Sequence, residues 1–236
     1  MRIVVTGAGG FVGRELTRQL QGHEVVGIDR DLHGAPGIQG DFADPAVLAS
    51  AFAGGCDAVI HLATVPGGAA EGDPAVGWRV NIDGTMALAE AAAAHRARFL
   101  FASSIAAFGD PLPDAVTDDT PLRPKMLYGA HKAMMEQWLA TLTRRGDLSA
   151  LSLRLPGVVA RPRSDSGMKS AFLSDLFHAL KADEAVELPV TSEATVWLLS
   201  VERAAACFVH ALGIEAEGSV TLPAVRCSIR ELVGAV

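Results

Sequence analysis

The chain has 236 residues, half of them hydrophobic, and a formal charge of −7, enough for one sizeable core with a small lobe. The charge is spread along the sequence and no basic stretch carries interleaved aromatics, which argues against a nucleic-acid partner. No apolar run approaches the ~18 residues of a membrane span, and Met1 leads almost directly into the first predicted strand without room for a signal peptide, so a cytoplasmic location is expected.

Residues 2–13, RIVVTGAGGFVG, read as a buried strand, a glycine turn and the start of a helix. Ile3, Val4 and Val5 form an uninterrupted apolar run suited to a parallel sheet. Gly7, Gly9 and Gly10 let the backbone turn sharply, and Phe11, Val12, Leu16 and Leu20 give the helix an apolar face that Gly13 brings close to the strand. The helix N-terminus, with its unpaired N–H groups and positive dipole end, suits a pyrophosphate. A glycine pattern serves any tight strand-to-helix turn, but residues 24–28 (EVVGI) add a second buried strand ending in Asp29, about twenty residues past the glycines. A carboxylate there can accept from both ribose hydroxyls of an adenosine and repels a 2′-phosphate. That favours NAD over NADP, with Arg30 next door acting against the preference.

Further on, a short strand ends near Asp41, and Asp44-Pro45 is an N-cap with proline at the first helical position. Residues 57–62 (DAVIHL) read as a fourth strand, and 64–72 as a glycine-rich loop. Asp73-Pro74 repeats the helix-start signal ahead of an alanine-rich helix that contains Asn81 and reaches about His95. Residues 99–103 (FLFAS) give a fifth strand, followed by a loop at 104–124 long enough to be functional. His61 ends a strand and reads as structural. Cys56, Cys207 and Cys227 are far apart without C-x-x-C spacing, and no His or carboxylate cluster has metal-ligand spacing, so no metal is expected.

A helix predicted over 125–145 carries Tyr128, the sole tyrosine, and Lys132 one turn later. Residues four apart share a helical face, which continues through Met135, Leu139 and Leu142 as a buried stripe. A fixed cation beside a phenol favours the phenolate, the form that a general base for hydroxyl oxidation requires. His131 lies about 100° round the helix and is assigned no role.

The phrases TGAGGFVG, VIHLA, FASSIAAFG and YGAHK, with Asp29, Asp41 and Asn81, together resemble the extended short-chain dehydrogenase/reductase family, also called the NAD-dependent epimerase/dehydratase family. The likeness implies a Rossmann-type α/β fold, a doubly wound parallel sheet with a small C-terminal substrate lobe. It implies NAD bound by Gly7, Gly10, Phe11, Val12, Gly13, Asp29, Asp41, Phe42, Leu62, Ala63, Asn81, Tyr128, Lys132 and Pro156. Counting back five residues from Gly109 gives Ser104, not Ser103, as the family's catalytic serine. Ser104 would then hold the substrate oxygen, Tyr128 move its proton, and Lys132 hold the ribose and lower the tyrosine pKa.

The same likeness implies an NAD-binding domain over 1–160, to which 194–225 returns, and a partial lobe from 161–193 and 226–236. A sixth strand is read at 151–155, helices at 170–181 and 201–212, and a capping box at Ser228 with Glu231. Family members continue for several further elements that close over the substrate, so the lobe is expected to be incomplete. They commonly pair through the tyrosine-bearing helix and the one before it, implying a homodimer.

Ile105 and Ala106 follow Ser104 where the 4,6-dehydratases of the family carry an Asp-Glu pair, so that reaction lacks its acid and base. The later phrases resemble members that oxidise the C2 hydroxyl of a small sugar acid. Arg161, Arg163 and Lys169 are the cations nearest in sequence for such a carboxylate, the arginines favoured for their fork. The alternatives are a nucleotide-sugar 4-epimerase, which would hold NAD permanently, and a non-enzymatic NAD-binding protein.

Overall fold

The computed structural model describes residues 1–161 and 172–235. The order begins β1 (Arg2–Thr6), α1 (Phe11–Gln19), β2 (Glu24–Asp29), β3 (Ile38–Gln39), α2 (Pro45–Phe52) and β4 (Ala58–His61). Two short helices, α3 (Gly67–Gly72) and α4 (Pro74–Trp78), lead through a π-helical turn at Arg79–Gly84 into α5 (Thr85–Ala94), β5 (Arg98–Ser104) and the long α6 (Leu127–Arg145). Then follow β6 (Ser149–Leu155), β7 (Gly157–Val159), α7 (Phe172–Ala182), β8 (Thr195–Ser200), α8 (Val201–Leu212), β9 (Gly218–Thr221), β10 (Val225–Ser228) and α9 (Ile229–Gly234).

Seven strands form one sheet in the order β3-β2-β1-β4-β5-β6-β9, every pairing parallel. Alternation along the strands sends side chains to two faces. Val4, Val59, Phe99 and Phe101 meet α2, α5 and α6 on one, while Ile3, Val5, Ile60 and Leu100 meet α1 and α8 on the other. Both faces are covered, which is why these strands read as continuous apolar runs. The order reverses between β1 and β4, and the crevice outside the strand C-termini at such a reversal is where open α/β sheets take ligands.

A second sheet, in the order β10-β8-β7, pairs β8 parallel to β7 and antiparallel to β10. Leu173 and Leu176 of α7, Leu198 of β8, and Ile229 and Leu232 of α9 form its core. Of the segment expected to return to the main sheet, α8 and β9 lie on it. β8 does not, because the edge beside β6 is taken by β9. Residues 64–72 are not all loop either: buried Ala70 and the bracketing Pro66 and Asp73 hold α3 together despite its glycines. Asp44 caps α2 through Ala46 N (2.8 Å) and Asp73 caps α4 through Val76 N (3.1 Å).

Candidate active site

The glycine turn lies over the crevice. Gly7 N and Ala8 N donate to Ile28 O at 2.9 and 3.3 Å, fixing the turn to the end of β2. A Cβ on Gly13 would stand 2.0 Å from Gly7 O, so only glycine lets α1 approach this closely. Gly10 is the N-cap of α1, and no side chain among the described residues caps the helix. The first-turn N–H groups of Phe11, Val12 and Gly13 have no helical carbonyl behind them. Leu62 and Ala63 close the floor: Leu62 N donates to Thr6 O at 3.1 Å. Asp29 accepts from Gly9 N (2.9 Å) and Asp31 N (3.2 Å), which holds its carboxylate under the turn.

Asp41 is engaged by the chain itself, accepting from Ala43 N and from both terminal nitrogens of Arg79, each at 3.0 Å. Burial pushes its pKa up, but the Ala43 amide and the Arg79 guanidinium outweigh that and leave it lowered. The Phe42 ring is buried against His61, centroids 4.9 Å apart, and Pro156 is buried between β6 and β7. Asn81 sits in the π-helical turn, a feature frequent at functional sites. Its carboxamide oxygen accepts from Thr64 Oγ1 (2.9 Å) and Val65 N (2.8 Å), and its nitrogen donates to Val65 O (3.0 Å).

Ser104, Tyr128 and Lys132 come together above the C-terminal end of β5. Ser104 ends the strand and caps the following turn, its Oγ accepting from Ala106 N at 3.1 Å. A Cβ on Gly129 would stand 2.4 Å from Ala106 O, so this glycine lets α6 close onto that turn. The Ser104 hydroxyl thereby reaches the Tyr128 phenol. Ser103 points the other way, donating to Glu136 in the interior. Lys132 Nζ donates to Ala102 O at 2.8 Å and lies 4.6 Å from the Phe101 ring centroid and 5.6 Å from that of Tyr128.

The electrostatics depart from the sequence expectation. Burial raises the Tyr128 pKa above 10, and it is Ser104 and Arg161 that act to lower it. Lys132 does not bring the phenol down, because its ammonium is directed at Ala102 and burial lowers its own pKa to about 7. His61 is held neutral by burial and by Lys132, bridging Thr6 Oγ1 (2.6 Å) and Thr85 Oγ1 (2.9 Å) as a strut. His131, assigned no role from sequence, has its Nδ1 3.3 Å from the Asn81 amide nitrogen.

Arg161 follows β7, anchored by its N–H on Ser174 Oγ (3.0 Å) and by its carbonyl accepting from His178 Nε2 (2.6 Å). Its charge acts on Tyr128. Arg163 and Lys169 lie outside the described residues. Sequence reasoning missed Arg79, which holds Asp41, and Glu136. The available signal for Glu136 was its place one turn beyond Lys132 on the same face. Among the described residues, no group of three or more His, Cys, Asp or Glu could hold a metal, and no helix is long and apolar enough to cross a membrane.

The crevice at the strand reversal, with a serine, a tyrosine and a lysine at its mouth, defines an oxidoreductase of the extended short-chain class. The chain belongs to the NAD dependent epimerase/dehydratase family, whose pattern matches residues 3–220. It is 36% identical over 239 residues to D-erythronate dehydrogenase of Cupriavidus necator, covering 92% of this chain and 73% of that protein. With D-erythronate dehydrogenase of Haemophilus influenzae it shares 31% over 228 residues, 90% of this chain and 72% of the other. Among solved structures, the Thermus thermophilus UDP-glucose 4-epimerase complex with NAD superposes with a TM-score of 0.86 at 25% identity, over 100% of this chain and 82% of that one. NAD is the cofactor, and the glycine turn and uncapped α1 N-terminus fit its pyrophosphate.

Proposed function

We propose that the enzyme oxidises the C2 hydroxyl of a small sugar acid of the D-erythronate type. The reading is supported by the position of Arg161, which follows β7 and is anchored on α7 through Ser174 and His178, near enough for its charge to favour an ionised Tyr128 phenol. A cation beside the proton-accepting group would suit a substrate carboxylate next to the hydroxyl being oxidised, as in a 2-hydroxy acid. The two relatives named D-erythronate dehydrogenase support the same substrate class.

In this reading bound NAD would supply the hydride acceptor for C2. Ser104 donates a hydrogen bond to the substrate oxygen, and Tyr128 takes the hydroxyl proton in the fraction of molecules, growing as pH rises, whose raised phenol is ionised. Lys132 holds the ribose, and Arg161 binds the carboxylate. Asp29 would hold the adenosine ribose, and the first-turn amides of Phe11, Val12 and Gly13 would hold the pyrophosphate.

Steady-state kinetics with D-erythronate and other tetronic and aldonic acids, beside UDP-sugars, test the assignment. Arg161→Ala is expected to raise KM for the acid by about 10-fold or more, the scale of one charge-assisted contact. Tyr128→Phe should leave NAD binding intact and lower kcat at least ~10²-fold. An unchanged KM in Arg161→Ala, or turnover of UDP-sugars alone, overturns the sugar-acid reading.

A further inference from the structure

Beneath the Ser104, Tyr128 and Lys132 group lies a buried ionic network that no role above uses. Glu136 of α6 and Arg154 of β6 form a forked pair, with contacts of 2.8, 3.0 and 3.2 Å. Their side chains are 0% and 5% exposed. Ser103 of β5 donates to the same carboxylate. On its other side, Arg154 donates to Asp118 O at 2.9 Å and lies over the Phe108 ring, 4.8 Å from its centroid. The Asp118 carboxylate in turn accepts from Thr221 N of β9 at 2.7 Å.

These contacts reach the reacting groups by short covalent routes. Ser103 and Ser104 are successive residues of one strand and point to opposite faces, so anchoring the first fixes the second. Tyr128, Lys132 and Glu136 are spaced four apart on one helical face, so anchoring Glu136 fixes the rotation of α6 that aims the phenol. Phe108 and Asp118 both belong to the loop that begins at Ser104, and Arg154 holds it at both points. Stability alone does not account for such a pair, since well-packed apolar replacements of buried ion pairs are often neutral or stabilising. The planar fork, by contrast, sets direction as well as distance.

We propose that Glu136 and Arg154 act as a positioning pair, locking β5 and the 104–124 loop to α6 so that the Ser104 hydroxyl meets the Tyr128 phenol. The inference rests on the reading of Ser104 and Tyr128 as the groups that handle the substrate hydroxyl. Among the described residues, the charged groups facing Tyr128 are Lys132 on its own helix and Arg161 after β7, and the test leaves both in place.

The chain has a single tyrosine, so ¹³Cζ-tyrosine labelling gives one NMR resonance that reports the hydrogen bonding of Tyr128. Ser104→Ala calibrates the shift on losing the contact. Ser103→Ala, which cuts the strand from the pair, should move the resonance in the same sense. The double variant Glu136→Leu with Arg154→Met removes the network without stranding a buried charge, and should reach the Ser104→Ala position. Its kcat for the acid should fall about 10-fold or more, the scale of a small misplacement. Should the double variant fail to fold, Ser103→Ala decides by itself. A resonance that stays at the wild-type position in the folded variants overturns the proposal, whatever the kinetics. Because the resonance needs no substrate, failure of the sugar-acid reading would leave this result standing.

Discussion

Burying Lys132 has a cost that pH can expose. Lys132 is 3% exposed, and burial lowers its pKa to about 7 in the folded chain against 10.5 when solvated. Between those values the unfolded chain binds the extra proton, so stability rises with pH across the window; below about 7 both states are protonated and the slope vanishes. For one proton the slope is about 1.4 kcal/mol per pH unit, a few degrees in Tm for a chain of this size. Tm measured by calorimetry should climb from pH 7 to 9, and Lys132→Met should flatten the climb. A wild-type Tm that is level or falling over that range would show that the ammonium is better solvated than its surroundings imply. Tyr128 does not confuse the measurement, because its raised pKa acts only above 10.

At the scale of elements, local chemistry and long-range pairing separate clearly. The β1 turn, α1 and the acid ending β2 were legible because each rests on neighbouring residues: an apolar run, glycines at fixed offsets, a carboxylate closing a strand. The same holds for the proline-marked starts of α2 and α4 and for the capping box at Ser228 and Glu231. β7, β9 and β10 were not legible, being three or four residues long and defined by their partners rather than by a period of their own. Glu136 and Arg154 meet across 18 positions, a separation with no local signature. The Asp29 turn makes its own prediction. Its carboxylate is held at the end of β2 by two amides, where it would repel a 2′-phosphate. Titration should show NAD binding roughly 10-fold or more tightly than NADP, and Asp29→Ser should narrow the ratio. Equal affinities in the wild type would pass the decision to Arg30.

For the whole molecule, the outer face of α6 is apolar where a monomer needs polarity. Leu127, Met134 and Trp138 are exposed and fall on one stripe, seven and then four residues apart. Trp78 of α4, 46% exposed, extends the stripe through its edge contact with the His131 ring, centroids 5.9 Å apart. Val76, also exposed, adjoins it on the same short helix. Contiguous apolar surface rimmed by polar groups marks an interaction site more often than an idle surface, and a face built from one long helix and its neighbour suits a two-fold contact in which the same patch meets itself. We propose that two copies pair across it, with α6 at the centre. The opposite face of α6 holds Tyr128, Lys132 and Glu136 inward, so pairing would brace the helix that carries the reacting phenol without covering the crevice. Sedimentation equilibrium at micromolar concentration should give a dimer. Trp138→Glu, which places a charge on the stripe and leaves the site side of the helix untouched, should give a monomer that still binds NAD. A wild-type chain that sediments as a monomer, or a Trp138→Glu chain that remains a dimer, would remove this face from the assembly.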